Sequence, residues 1–99
     1  MSELKQITTI LKQHNRELRQ LGVESLAVFG SIVREEQNLE SDVDFLVKFS
    51  DSQQSYANLY NLYVFLRNVT GRDVDVVTEK GISKYMRPYI EKELRYVDF

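Results

Sequence analysis

The sequence predicts an α/β (α+β) fold, a small mixed β-sheet flanked by helices in the order α-β-(α)-β-α-β-α. Three observations predict it. Three short apolar runs, at 25–29, 43–49 and 73–78, have strand length and are bounded by polar or glycine-containing breaks. Segments with three- and four-residue apolar spacing stand before, between and after them. The connector between the first two runs is about a dozen residues, which suits an antiparallel pair, whereas a full helix separates the second from the third, which suits a parallel crossover.

Taking the elements in order, residues 3–21 read as one helix, with Leu4, Ile7, Ile10, Leu11, Leu18 and Leu21 on the apolar stripe and Gly22 as its stop. Ser25 to Phe29 is a buried strand, and a short helix or turn covers 32–37. Residues 43–49 alternate around aspartates and form the second strand. Ser50 to Ser55 is a polar connector in which Asp51 or Ser52 caps the next helix. Residues 54–69 carry Tyr56, Leu59, Tyr60, Tyr63 and Leu66 on one stripe, with Leu62, Phe65 and Val69 beside it, a face wide enough for a well-buried helix. Thr70-Gly71 ends that helix, 73–78 is the third strand, and Pro88 opens a last helix over 88–97.

Ninety-nine residues predict one domain, 1–99, with a modest core. A net charge of −2 with dispersed Lys and Arg argues against a dedicated nucleic-acid binder. The chain has no cysteine, so disulfides and thiolate metal sites are excluded and a cytoplasmic location is expected. No secretory leader is read at Met1 to Lys5, and no apolar run approaches the ~20 residues that span a membrane.

The chemistry-bearing residues gather around the strand ends. Asp42 and Asp44 are two apart in an extended segment, so their side chains share a face, with Cα atoms roughly 6.5–7 Å apart. Val43, Phe45 and Val47 take the opposite, core face, while Leu46 follows on the aspartate face, which is therefore not simply wetted. Asp75 repeats the pattern between Val74 and Val76. Aspartate is disfavoured in strands, so each of these calls for a reason, although a lone Asp-x-Asp is ordinarily a solvated strand face and Asp73 is accounted for as a strand-entry residue. Three converging carboxylates suit Mg²⁺, which takes oxygen ligands together with substrate phosphates. Gly30-Ser31 closes the first strand. It serves either as a turn and helix cap or as a phosphate turn, the glycine admitting phosphate oxygens and the serine hydroxyl and following N–H groups donating to them. Arg34, one turn on, is either a phosphate contact or an exposed surface arginine. The single histidine, His14, lies between Gln13 and Asn15 and reads as a surface residue; the six tyrosines read as core or interface residues.

Gly30-Ser31, then Ser41-Asp42-Val43-Asp44-Phe45-Leu46-Val47, then Val74-Asp75-Val76-Val77-Thr78 resembles the nucleotidyltransferase superfamily that includes DNA polymerase beta, and within it the minimal (MNT-type) nucleotidyltransferases, over roughly residues 5–97. Members often carry Arg-Gly after Gly-Ser-x-x, whereas Arg34 is followed here by Glu35. The resemblance implies Gly30 and Ser31 at the nucleotide triphosphate, and Asp42, Asp44 and Asp75 as catalytic ligands of two Mg²⁺ ions, with Asp75 also the base for the incoming hydroxyl; Arg34 joins the nucleotide-binding candidates on its place one turn after Ser31. It implies ATP as substrate, and a HEPN-domain toxin as partner in a hetero-oligomer, silenced by transfer of AMP to a tyrosine. Two alternatives stand beside it. One is a non-catalytic antitoxin that masks its partner through an apolar helix face such as 54–69; the other is a small-molecule nucleotidyltransferase, which generally has a further domain.

Overall fold

The computed structural model describes residues 2–34 and 42–99. Its elements are helices α1 (Glu3–Gln13) and α2 (Asn15–Gln20), strand β1 (Val23–Phe29), a 3₁₀ turn at Gly30–Ile32, strand β2 (Val43–Phe49), helix α3 (Tyr56–Thr70), strand β3 (Val74–Thr78), a second 3₁₀ turn at Glu79–Gly81, helix α4 (Arg87–Glu91) and strand β4 (Arg95–Tyr96). The sheet order is β3-β2-β1-β4. As the connector lengths predict, β1 and β2 pair antiparallel while β2 and β3 pair parallel, with α3 between them in sequence. Of the short helix or turn expected over 32–37, residues 32–34 form the end of the 3₁₀ turn and the turn residues after it, and 35–37 lie outside the described residues.

Alternation along the strands divides the sheet into two faces. On one, Val43, Phe45, Val47 and Phe49 of β2, Leu26 and Val28 of β1 and Val74 of β3 are buried with Ile7, Leu11, Leu18, Leu62 and Leu66 of the first three helices, forming the main core. The other face begins apolar and ends acidic. Ala27 and Leu46 pair across β1 and β2 and are both buried, Leu46 lining a groove with Ile90 and Leu94. Further along the same face come Phe29, Asp44 and Asp75. Leu46 on the aspartate face is thus covered by the C-terminal segment.

Several boundaries depart from the sequence reading. The helix expected over 3–21 is two helices that meet at His14, where φ is −100° and ψ 28°. The break is locally satisfied: His14 N–H donates to the Leu11 carbonyl at 3.0 Å, and the Asn15 side-chain amide donates to the Lys12 carbonyl at 3.0 Å. His14 is not a purely surface residue either, since its ring meets Phe65 edge-on at 5.7 Å between centroids. Ser55, rather than Asp51 or Ser52, caps α3, its hydroxyl accepting from Asn58 N–H at 3.1 Å. The apolar stripe of α3 is also split. Leu62 and Leu66 are buried and Leu59, Tyr63, Phe65 and Val69 pack against the core, but Tyr56 is 93% exposed and Tyr60 65%.

The largest departure is at the C-terminus. The helix expected over 88–97 stops at Glu91, and Arg95–Tyr96 forms a fourth strand on the free edge of β1, with Ala27 opposite Tyr96 and Val28 opposite Arg95. Ile90, Leu94 and Val97 do keep helical spacing, which is why the sequence reads as helix there. Pairing overrides it, because an unpaired β1 edge presents backbone groups that need partners; Val97 N–H also donates to the Leu26 carbonyl at 2.8 Å.

Candidate active site

The parallel register sets Asp44 of β2 directly beside Asp75 of β3, on strands that run about 4.8 Å apart. On the other side of Asp44 stands Phe29, the last residue of β1. Asp42 lies one residue before β2 and is exposed, as is Asp75, while Asp44 is half-buried. The sheet therefore brings the three predicted aspartates to one end of one face. Asp73 is not among them: its carboxylate accepts from Arg67 at 3.3 Å and its carbonyl accepts from Val43 N–H at 3.0 Å, the strand-entry role.

The Asp44 carboxyl is pushed up to about 6. Partial burial is the first cause, followed by the negative charges of Asp75 and then Asp42; the Arg34 guanidinium opposes them, and Glu93 adds a small further push upward. Negative charge is thus concentrated at Asp44, a condition that a cation relieves. The donor set is all oxygen, which fits Mg²⁺ rather than a nitrogen- or thiolate-preferring metal. Among the described residues no three acidic or histidine side chains are already drawn into a closed ligand cluster, so an ion would have to share its coordination with substrate oxygens, as Mg²⁺ commonly does.

β1 ends at Gly30, whose φ of +84° is a left-handed conformation that favours glycine. The turn is closed by Val33 N–H and Arg34 N–H donating to the Gly30 carbonyl at 3.0 and 3.3 Å. A side chain at this position is excluded twice over. A Cβ on Gly30 would overlap a carboxylate oxygen of Asp44 and lie 3.2 Å from its Cγ. Glycine here thus makes room for Asp44 itself, a demand separate from the approach of phosphate oxygens that the sequence suggests. Ser31, half-buried, is the next residue of the turn.

Arg34 does not stand as an isolated surface arginine. Its guanidinium is paired with the Glu93 carboxylate, whose other oxygen accepts from Gly30 N–H at 3.1 Å. Glu93, on the link between α4 and β4, is a site residue that sequence reasoning missed. Read inside a helix over 88–97, it is one acidic residue among several, and no motif marks it.

Among the described residues the candidate site lies at one end of the sheet. A concavity of about 510 Å³ between the end of α3 and Arg72-Asp73, and another of about 550 Å³ beside Phe49, Tyr56, Leu59 and Thr78, are both lined by residues other than Asp42, Asp44 and Asp75. The carboxylates and the turn, rather than these hollows, are the candidate site, because they combine concentrated charge with a left-handed glycine that lets groups approach the backbone closely.

Comparisons with known proteins bear on the family and the fold. A family model described as the nucleotidyltransferase domain matches residues 11–97. A Methanocaldococcus jannaschii protein, provisionally named a protein adenylyltransferase, is 37% identical over 98% of this chain and 100% of its own length. A solved structure described provisionally as a minimal nucleotidyltransferase superposes with a TM-score of 0.74 at 26% identity, over 92% of this chain and 88% of that one. The structure of a tri-AMPylated Shewanella oneidensis HEPN toxin in complex with MNT antitoxin superposes with a TM-score of 0.64, over 92% of this chain and 71% of that one; at 17% identity this shows a shared fold. A four-stranded mixed sheet carrying adjacent aspartates beside a Gly-Ser turn, matched by the family model over most of its length, makes this chain a member of the nucleotidyltransferase domain family.

Proposed function

We propose that this nucleotidyltransferase moves AMP from ATP to a hydroxyl, that of a tyrosine, on a HEPN-type toxin, and so acts as the antitoxin of a cytoplasmic pair. The observation that carries the reading is the register of Asp44 beside Asp75, with the Gly30 turn folded against Asp44. The name of the 37% identical relative supports protein as the acceptor class, and the motif resemblance supports the HEPN toxin as partner.

In this reading the Ser31 hydroxyl and the N–H groups of Ser31 and Ile32 donate to the triphosphate. The Val33 and Arg34 N–H groups are already given to the Gly30 carbonyl, which narrows the donors to that first part of the turn. Asp42, Asp44 and Asp75 would hold two Mg²⁺ ions, whose chemistry when bound is to neutralise phosphate charge and make the attacking hydroxyl more acidic. Asp75, the more exposed of the adjacent pair, accepts the proton of the incoming tyrosine hydroxyl. The tyrosine oxygen bonds to the α-phosphorus as the bond to the β-phosphate oxygen breaks, and pyrophosphate leaves with the electron pair. Holding the two reactants in line is the main contribution of the protein. Incubation with labelled ATP, Mg²⁺ and the partner encoded beside it tests the proposal: label on a partner tyrosine is expected, and its absence overturns the reading.

One observation favours a second reading, in which the chain neutralises its partner by covering it. Tyr56 and Tyr60 of α3 are largely exposed and Val64 lies on the same helix at the same four-residue step, an apolar stripe open to a partner. Asp75→Asn separates the two, because it leaves that stripe untouched. If the variant binds and still silences the partner with no nucleotide attached, masking is the function.

A further inference from the structure

Glu93 does more than pair with a surface arginine. An exposed ion pair by itself adds little to stability, but this carboxylate has a second partner, the part-buried N–H of Gly30, at 3.1 Å. The two contacts reach back 63 and 59 residues in sequence, to either end of the Gly30–Arg34 turn. Gly30 is the position where the chain is left-handed and where Asp44 comes so close that no side chain fits. The backbone of Glu93 is itself held from both sides. Its N–H donates to the Ile90 carbonyl at 2.9 Å, and two residues later Arg95 and Tyr96 pair with Val28 and Ala27 of β1.

From this arrangement we infer that Glu93 is a positioning residue of the nucleotide site: its single carboxylate fixes the Gly30 N–H and the Arg34 guanidinium relative to each other, so that the seating of β4 on β1 sets the geometry of the phosphate turn. The inference rests on the adenylyltransferase reading for the identity of the nucleotide. Glu93 does not compete with triphosphate for donors in that reading, because it takes the Gly30 N–H, whereas the phosphate is assigned to the Ser31 hydroxyl and the N–H groups of Ser31 and Ile32. Glu93 also keeps the Arg34 side chain at the turn, where its positive charge acts on the Asp44 carboxylate.

The test compares the whole protein with Glu93→Ala and Glu93→Gln in three measurements: amide hydrogen exchange at Gly30 by NMR, Mg–ATP affinity by calorimetry, and the separate KM values for ATP and for the acceptor. In Glu93→Ala, loss of a charge-assisted bond should speed Gly30 exchange and weaken Mg–ATP by about tenfold or more. The KM for acceptor should stay unchanged, a split that general loosening of the fold would not produce. Glu93→Gln keeps an acceptor for the Gly30 N–H but loses the charge that holds Arg34, so it should restore the slow exchange and only part of the affinity. Unchanged Gly30 exchange in Glu93→Ala, or parent-like Mg–ATP affinity in both variants, overturns the inference. If Glu93→Ala does not fold, Glu93→Gln decides through its affinity, and a value equal to that of the parent overturns it. A parent protein that bound no Mg–ATP would instead overturn the adenylyltransferase reading, and the Gly30 exchange rates would still decide whether Glu93 holds the turn.

Discussion

Substituting Gly30 by alanine tests the claim that the turn and Asp44 are fitted to each other. The substitution has two physical consequences. The first is backbone strain: a residue with a Cβ at φ +84° costs roughly 1–2 kcal/mol. The second is steric, since the new methyl would overlap a carboxylate oxygen of Asp44, and relief requires the carboxylate to move by on the order of 1 Å, a misplacement that costs about 10²-fold in rate. Gly71 provides the control. It is also left-handed, at φ +67°, but a methyl group added there would have nothing within 4 Å, so Gly71→Ala meets the strain alone. Gly71→Ala should lose about 1–2 kcal/mol of stability and Gly30→Ala at least as much, which lowers Tm by several degrees at this size. Only Gly30→Ala should also lose about 10²-fold in AMP transfer. Thermal melts paired with initial transfer rates at a temperature where both variants are folded make the comparison. Full transfer by Gly30→Ala, or an equal loss in both variants, would refute the reasoning.

Further outcomes follow from the carboxylates. In metal-free protein the Asp44 carboxyl titrates at about 6 in the fold against 3.8 for the ordinary group. The folded state therefore binds that proton more tightly than the unfolded state, and the resulting stability is fully present below pH 3.8 and lost as pH rises through about 6. Asp44→Asn is neutral throughout, so melts in the presence of a chelator should show the variant gaining on the parent across this window; parallel curves would contradict the assigned cause. Asp75→Asn should lower transfer by at least ~10²-fold while partner binding, followed by co-purification, survives; unimpaired transfer would remove Asp75 from the role of base.

What was legible in the sequence was whatever depends on local pattern. Alternation about Val43, Phe45 and Val47 located β2 and put Asp44 on the opposite face, and the lengths of the connectors gave the antiparallel and parallel pairings correctly. The aspartates were visible because strands disfavour them. What was not legible depends on contacts between distant parts of the chain. Residues 95–96 are strand only because β1 has an edge to fill, and Glu93 is a site residue only because that pairing carries it to Gly30. The stripe of α3 misled for a related reason: tyrosines at helical spacing look like core, yet the sheet has room for Leu62 and Leu66 and leaves Tyr56 and Tyr60 outside. The need for glycine at 30 was readable, but its cause, the approach of Asp44 from the neighbouring strand, was not.

The central claim is that Asp42 and Asp44 make this sheet end a centre for adenylyl transfer. The measurement is the intact mass of the proposed HEPN-type partner after incubation with ATP and Mg²⁺, using the parent protein and the Asp42→Asn/Asp44→Asn double variant, both first shown to be folded. The expected result is addition of AMP to the partner by the parent and none by the double variant. AMP addition by the double variant at the parent's rate, or none by the parent, would contradict it.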